Sequence, residues 1–267
     1  MPPLPSDQRT DDGPRLYRRF RADNGPEGER LDLLCRTYDR VTAAHLDWVV
    51  VPLGARCLDI GSGLGTVAHD LADRVGPTGQ VLATDVTVSD APHESPRIRR
   101  LVHDITRDPL PVGPFDVVFS RAVLHFVPDR HGLLARLAAL LRPGGVLAVE
   151  TFDFGTVARE ASPAQAAWRL LVAASTRSDI EVDWLLSLAD GCSHLGLAPV
   201  VAERTSVVGL PGSEAREYWA RSLALAGPFI ARDSEDEAVV DAAVAALRTH
   251  PTCLPLPDLS AVYGRRV

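Results

Sequence analysis

The sequence predicts an α/β fold in which helices cover both faces of a mostly parallel sheet. From Arg56 onward, apolar strand segments alternate with helical segments, and a glycine-rich turn joins the first strand to the next helix. Strands that alternate with helices pair in parallel, because each crossover must return the chain to the same edge of the sheet. The 267 residues, of which 46% are hydrophobic and 24% charged, suit one large globular domain.

The predicted elements follow in chain order. Apolar residues at helical spacing between residues 31 and 50 predict a first helix. Five strand segments come next: RCLDI, QVLATD, RIRRLVHD, FDVVFS and VLAVET. TVAHDLADRV and HGLLARLAALL are helices between them, the second ended by RPGG. After residue 151, four helical segments surround two more strands, PVVAERTSVVG and LSAVYGRRV, and Ser213 is a predicted N-cap.

This order predicts one domain with helical additions. Residues 1–14 are polar and rich in proline, so we expect a disordered tail. Residues 15–50 form a predicted N-terminal helical cap, and residues 51–267 form the main domain. Helical insertions are expected at about 155–195 and 212–250, around the last strands of the same sheet.

Composition excludes several classes of protein. A net charge of -7 without a long basic run argues against a nucleic-acid partner. No segment has the apolar length of a membrane span or a secretory signal, so we expect a cytoplasmic protein. The four cysteines lack CxxC spacing, which predicts reduced thiols and no metal site. Cap helices rich in alanine and leucine leave a homodimer possible.

The glycine-rich turn narrows the choice of ligand. Gly61, Gly63 and Gly65 lie between a strand and a helix, where backbone N–H groups can approach a ligand closely. A phosphate-binding loop of the Walker A type would need a lysine, which is absent here, and a dinucleotide fingerprint would need glycine where Thr66 stands. Asp59, two residues before the first glycine, would repel a pyrophosphate but suits an ammonium group.

Two further carboxylates end neighbouring strands. Asp85 lies 20 residues after Gly65 at the end of the second strand, where an acid can hydrogen-bond a ribose diol. Asp104 closes the third strand. Each acid alone could be a helix cap or a solvated turn residue. Together with the glycines, they favour a cationic ligand that carries a ribose and no phosphate.

Residues 56–151 resemble a class I S-adenosylmethionine-dependent methyltransferase. The matching segments are CLDIGSGLGTVAHDLA, VLATD, HDITRDPLP, FDVVFSRAVLHFVPD and LLARLAALLRPGGVLAVE, in the order that this family shows. The segment RDPLPVGPFDVVFSRAVLHFVPDR is also similar to small-molecule methyltransferases of actinomycete secondary metabolism. The resemblance implies a Rossmann-like, seven-stranded sheet with an antiparallel hairpin at its C-terminal end.

The same resemblance implies roles for individual residues toward the cofactor, S-adenosyl-L-methionine. Gly61, Gly63 and Gly65 would pack against its methionine part, and Asp59 would bind its amino group. Asp85 would bind its ribose, and Asp104 with the N–H of Ile105 would bind its adenine. Ser120 and Arg121 would flank the cofactor beside the substrate. The family usually has a helix between Asp85 and Asp104, but Pro92 and Pro96 predict a loop in this chain.

The implied reaction is methyl transfer to oxygen, nitrogen or carbon of a small molecule. His125 and Asp153, just after the fourth and fifth strands, are the candidate general bases, although either could instead cap a turn. Proximity alone can also accomplish this reaction.

Aromatic residues of the helical additions predict the acceptor site. Tyr17, Tyr38, Phe152 and Trp184 are the candidate substrate contacts, with Phe20, Phe154, Trp168, Tyr218 and Trp219 in the same segments. Such side chains suit an aromatic or apolar small molecule.

Two other functions remain open. A protein of this fold could bind the cofactor yet catalyse a different reaction, such as a cyclisation. A nicotinamide-dependent oxidoreductase is disfavoured by Asp59 and by the lack of a clear Tyr/Lys pair after the fourth strand.

Overall fold

The computed structural model describes residues 25–87, 95–177 and 185–267. Its helices are α1 (Pro26–Val49), α2 (Thr66–Val75), α3 (Arg130–Ala139), α4 (Gly155–Arg159), α5 (Gln165–Arg177), α6 (Leu185–His194), α7 (Glu214–Ile230) and α8 (Ser234–Thr249). Its strands are β1 (Arg56–Ile60), β2 (Gln80–Asp85), β3 (Ile98–Val102), β4 (Phe115–Arg121), β5 (Leu141–Asp153), β6 (Leu197–Thr205), β7 (Val208–Gly209), β8 (Leu254–Pro255) and β9 (Asp258–Arg266).

Seven strands form one sheet in the order β3-β2-β1-β4-β5-β9-β6. The first five are parallel, and β9 is antiparallel to both β5 and β6. The predicted fold class is therefore confirmed, including the antiparallel pair formed by the last long strands. Because β1 has β2 on one side and β4 on the other, the strand order reverses beside it, which opens a crevice at the carboxyl ends of these strands.

Local sequence explains the two helices nearest this crevice. Helix α1 has Pro26 in its first turn, where a missing N–H costs no hydrogen bond, together with two acidic side chains that favour a helix N-terminus. Helix α2 starts after Gly65, whose φ of +82° is left-handed. The apolar stripe of α2, from Val67 to Val75, is buried against the sheet.

Three apolar clusters make up the core. Two cover the opposite faces of the sheet, one with α1 and α2 and the other with α3 and α6. The third gathers side chains of α5, α7 and α8 around Phe152 and Phe154, at the carboxyl end of β5. This third cluster makes the helical additions a layer over the crevice rather than a separate body.

Among the element boundaries that differ from the prediction, those of β5 and β6 have a clear physical reason. The apolar pattern PVVAERTSVVG predicted one strand, but β6 ends at Thr205 and Val208–Gly209 pairs separately with Leu254–Pro255. Strand β5 begins at Leu141, before the predicted Val146, because Leu141 pairs with Phe115 ahead of a register shift. Ser213 caps α7 as predicted, by accepting a hydrogen bond from the N–H of Arg216.

Several predictions concern residues outside the described ranges: the disordered tail, the part of the cap before residue 25, and most of the loop that contains Pro92. No helix within the described ranges is both long and apolar enough to cross a bilayer. In the same ranges, no group of three or more His, Cys, Asp or Glu side chains is arranged to hold a metal ion.

Candidate functional site

A cavity lies at the carboxyl ends of the parallel strands, between the sheet and the helical layer. The volume of this cavity that the centre of a water molecule can occupy is about 170 Å³, many times the roughly 10–15 Å³ that one bound water needs on the same measure. Its wall joins the glycine-rich turn to the aromatic side chains of the helical layer. The lining residues are Arg30, Leu31, Leu34, Cys35, Ile60 to Leu64, Thr84 to Val86, His103, Ile105, Arg121 to Val123, His125, Phe126, Phe152, Phe154, Trp168, Leu171, Ser175, Tyr218, Trp219, Ser222, Leu223 and Ala226.

Two glycines of the turn line this cavity for different steric reasons. Gly61 has a φ of +70°, and a Cβ there would lie 2.1 Å from Val123. Gly63 has a φ of +53°, but a Cβ there would meet only Leu31, at 3.9 Å. Gly61 therefore permits close packing within the protein, while Gly63 keeps space open for a ligand. Gly65 lies outside the lining, beside the guanidinium of Arg100.

Asp85 presents its carboxylate at the cavity, beside the turn. Its Oδ2 accepts a hydrogen bond from the N–H of Gly63 at 2.8 Å, and its Oδ1 accepts one from Thr87 at 3.2 Å. Burial raises the pKa of Asp85, and these backbone donors oppose that rise by stabilising the charged form. Each carboxylate oxygen has more than one lone pair, so hydroxyl donors of a ligand can bind there too.

Asp59 is buried behind the turn and does not line the cavity. Its Oδ2 has no hydrogen-bond partner among the described residues. Burial raises the pKa of Asp59 to about 7; Asp85 adds to the rise, and Arg121 and Arg100 oppose it. A buried carboxylate with an unpartnered oxygen is a site where a cation would be stabilised.

The segment after β3 brings one of its two predicted residues, Ile105, to the cavity. His103 and Ile105 line it, whereas Asp104 does not. The carboxylate of Asp104 accepts hydrogen bonds from the N–H and hydroxyl of Thr106, at 2.9 and 2.6 Å, and thereby closes its own turn. His103, which no sequence motif indicated, also lines the cavity, and its Nδ1 is buried without a hydrogen-bond partner among the described residues.

The end of β4 places Arg121 in the cavity wall. Its guanidinium donates to Asp39 and to the hydroxyl of Thr42, both at 2.9 Å. Thr42 in turn donates to Glu150 at 2.7 Å, and Nδ1 of His45 lies 2.6 Å from the other oxygen of Glu150. This buried chain of contacts fixes α1 against β4 and β5. The neighbouring Ser120 lies outside the lining, and its hydroxyl donates to the carbonyl of Ile60.

The two candidate bases have different surroundings. His125 lines the cavity, and burial together with Arg130 lowers its pKa to about 3. A neutral imidazole of such low basicity is a weak general base near pH 7. Asp153 does not line the cavity: it accepts a hydrogen bond from the N–H of Gly155 at 2.7 Å and pairs with Arg204.

Of the four predicted acceptor contacts, one lines the cavity, one lies behind it, and two are outside the described residues. Phe152 lines the cavity, whereas Tyr38 lies behind it and accepts a hydrogen bond from Nε1 of Trp219 at 2.7 Å. Tyr17 and Trp184 lie outside the described residues. Trp168 and Trp219 pack edge to face, with ring centroids 5.6 Å apart. The acceptor end of the cavity is thus mostly aromatic.

Arg30 is a lining residue that sequence reasoning missed. It donates to both carboxylate oxygens of Glu27, at 2.8 and 2.6 Å, and to the hydroxyl of Ser222 at 3.2 Å. Its guanidinium also lies 5.3 Å from the centre of the Tyr218 ring. These contacts tie α1 to α7, but Arg30 belongs to no motif and no local pattern could have indicated them.

Comparisons with known proteins identify the family. The family described as a methyltransferase domain matches residues 58–149. A trans-aconitate 2-methyltransferase of Deinococcus radiodurans is 31% identical over 205 residues, which cover 69% of this chain and 74% of that protein. An uncharacterized methyltransferase of Mycobacterium tuberculosis is 42% identical over 112 residues, 39% of this chain and 54% of the relative. The chain thus spans about half the length of the first curated relatives that it matches.

A solved structure shares the fold. Phosphoethanolamine N-methyltransferase 2 of Haemonchus contortus, in complex with phosphomonomethylethanolamine and S-adenosylhomocysteine, superposes with a TM-score of 0.51 at 17% identity. The superposition covers 89% of this chain and 52% of that one.

Fold and cavity together define a Rossmann-like protein with a ligand-sized cavity at the carboxyl ends of its parallel strands. The chain belongs to the class I S-adenosylmethionine-dependent methyltransferases. S-adenosylmethionine is the cofactor of this family, and the cofactor prediction is confirmed. The residues present fit that group: Gly63 leaves open space beside the carboxylate of Asp85, and Asp59, although outside the lining, adds a buried carboxylate that can stabilise a nearby ammonium.

Proposed function

We propose that this protein transfers a methyl group from S-adenosylmethionine to a small, largely apolar acceptor held beneath the helical layer. The observation that carries the proposal is the continuity of the cavity. One wall runs from Gly63 and Asp85 to Phe152, Trp168 and Trp219, so cofactor and acceptor ends share one space.

The cofactor end is assigned as follows. Asp85 binds the ribose hydroxyls, the unpartnered oxygen of Asp59 stabilises the amino group, and Gly63 gives the methionine part room. Ile105 and His103 border the adenine, while Asp104 holds the turn that presents the N–H of Ile105. The support is that these residues meet at the edge where parallel sheets of this order bind their ligands.

The reaction rests mainly on placement. When bound, S-adenosylmethionine supplies an electrophilic methyl group. The chain's task is to align a nucleophile and to exclude water, and the buried rings of Phe152, Trp168 and Trp219 suit both. His125, neutral because of its low pKa, orients the acceptor by a hydrogen bond instead of removing a proton from a weakly acidic group.

We place this reaction in the secondary metabolism of the cytoplasm. The four cysteines are free thiols, three of them buried, which fits a reducing compartment. The aromatic acceptor end fits the uncharged ring systems common among natural products.

Calorimetry with S-adenosylhomocysteine and with NAD tests the cofactor site. We expect the former to bind and NAD not to bind. Asp85→Ala should weaken binding at least about tenfold, because charge-assisted hydrogen bonds contribute about 1.5–3 kcal/mol each. Asp73→Ala, which removes an exposed carboxylate from α2, is the matched control and should bind normally. Binding of NAD alone would refute the assignment.

Formation of S-adenosylhomocysteine tests methyl transfer. The protein is incubated with S-adenosylmethionine and a panel of acceptors that includes trans-aconitate, phenols and ketones. Product that depends on one of the uncharged acceptors supports the proposal, whereas product from trans-aconitate alone would support methyl transfer but contradict an apolar acceptor. Tight binding of S-adenosylhomocysteine with no turnover over a broad panel would instead favour a non-methylating reaction such as a cyclisation.

A further inference from the structure

Two buried polar groups at the acceptor end have no hydrogen-bond partner among the residues that the structure describes. Trp168 and Ser175 lie on α5, both line the cavity, and both are almost completely buried. Neither Nε1 of Trp168 nor Oγ of Ser175 makes a hydrogen bond within the described parts of the chain. Leaving such a group unsatisfied costs about 1–3 kcal/mol, so their joint presence in a cavity wall indicates a function.

We propose that these two groups bind a hydrogen-bond-accepting oxygen of an uncharged acceptor molecule, such as a ketone or an ester. This inference rests on the proposed function and specifies the acceptor for the same cavity. The indole N–H can only donate, so its partner must offer an acceptor atom. Ser175 can donate to the same oxygen or bind a neighbouring one.

Charge in the wall argues against an anionic acceptor. The guanidinium of Arg30 is held by Glu27 through two hydrogen bonds. Arg121 is paired with Asp39 at 2.9 Å. Each cation that lines the cavity within the described residues is thus already neutralised by a carboxylate. A carboxylate ligand would lose its hydration without gaining an unpaired positive charge.

The remaining surroundings favour an apolar body. Trp168 contacts Phe154 and Trp219 with ring centroids 5.9 and 5.6 Å apart, and Phe152 lies 4.8 Å from Trp219. These rings offer faces and edges to a flat molecule, with few polar groups to satisfy. The polar atoms of Tyr218 and Ser222 are engaged with Arg30, so Trp168 and Ser175 join His125 as hydrogen-bonding groups for a ligand.

Three small ligands of similar shape separate charge from hydrogen bonding: acetophenone, benzoate and ethylbenzene. Each is titrated by ligand-observed NMR into protein saturated with S-adenosylhomocysteine. Acetophenone should bind at least about tenfold more tightly than benzoate. Equal or tighter binding of benzoate would overturn the inference.

Variants then test the donors themselves. Trp168→Phe and Ser175→Ala should each weaken acetophenone about three- to tenfold, the effect of one neutral hydrogen bond, and leave ethylbenzene within twofold. Trp48→Phe removes an indole that is 66% exposed and outside the lining, and should change neither affinity. Equal losses for both ligands, or no loss for acetophenone, would refute the assigned contact.

Stability and turnover complete the test. Ser175→Ala removes only an unpartnered hydroxyl and should not lower the melting temperature by more than a few degrees, whereas Trp168→Phe also removes ring volume from a fully buried position and can cost more. If it does unfold the protein, the Ser175→Ala titration and the wild-type comparison still decide. Turnover of trans-aconitate would support methyl transfer, but it would contradict the apolar acceptor and overturn this inference. Failure of S-adenosylhomocysteine to bind would overturn both the proposed function and the inference.

Discussion

Replacing Asp59 by asparagine should make the ligand-free protein more stable, and increasingly so as pH rises. Burial raises the pKa of Asp59 from 3.8 to about 7. In the unfolded chain this carboxyl group ionises near pH 4, whereas in the folded protein it keeps its proton up to about pH 7. Unfolding therefore releases a proton between these values, and the group's contribution to stability falls as pH increases.

The size of the effect follows from the shift in pKa. Each pH unit between the two pKa values costs the folded state about 1.4 kcal/mol, so the full penalty above pH 7 is about 4 kcal/mol. Between pH 5 and pH 8 the penalty grows by about 2–3 kcal/mol. An asparagine has no such titration, and any fixed cost of the amide cancels when the two pH values are compared.

Urea unfolding of the wild type and Asp59→Asn at pH 5 and pH 8 measures this difference. We expect the variant's advantage to be about 2–3 kcal/mol larger at pH 8. Asp73→Asn, whose side chain is 81% exposed, should show no pH-dependent advantage. An advantage for Asp59→Asn that is the same at both pH values would refute the conclusion that Asp59 is a buried, uncompensated acid. Calorimetry at pH 8 should show weaker binding of S-adenosylhomocysteine by the same variant.

Three further predictions concern the site and the core. Gly63→Val should fold but bind S-adenosylhomocysteine at least about tenfold more weakly, because the valine side chain would enter the open cavity. Gly144→Val is the control, since Gly144 also has a positive φ and no atom of the described residues lies within 4 Å of its Cβ position. It should show the same backbone strain of about 1–2 kcal/mol and bind normally. His125→Asn should leave the shape of the pH–rate profile unchanged between pH 5 and 9, because the pKa of His125 lies near 3; a wild-type step near pH 6.5 that the variant loses would contradict this. Arg216→Met should cost about 3 kcal/mol or more in urea unfolding, because the buried guanidinium donates to three backbone carbonyls, whereas Arg169→Met, at one exposed carbonyl, should cost under about 1 kcal/mol.

Much of the fold could be predicted because its signals are local. Apolar runs, the glycine turn and the alternation of strands with helices all act within about 15 residues, and together they determine the parallel sheet. The end of β6 could not be predicted in this way. Val208 continues the apolar pattern of that strand, yet it pairs with Pro255, which only the folded chain brings near.

The residues of the candidate site also divide into those that local sequence indicates and those that only tertiary packing brings there. Asp85 and Gly63 could be predicted, because a strand end and a glycine-rich turn depend on residues that are adjacent in the sequence. In the sequence, Asp104 looks equivalent to Asp85, because both follow a strand. Thr106, two residues later, donates its N–H and its hydroxyl to the carboxylate of Asp104, and this spacing is the sequence feature that indicates a turn. Arg30 and Trp168 reach the cavity from helices that only tertiary packing positions. No local pattern distinguishes them from other buried helical residues.

The separate third apolar cluster has a consequence for how this protein can change. The aromatic wall from Phe154 to Trp219 is packed within the helical layer, while Gly63 and Asp85 are held by the sheet and its turn. Substitutions in α5 and α7 can therefore reshape the acceptor end and leave the nucleoside end unaltered. Selection for a new acceptor, in nature or in the laboratory, would act on those two helices first.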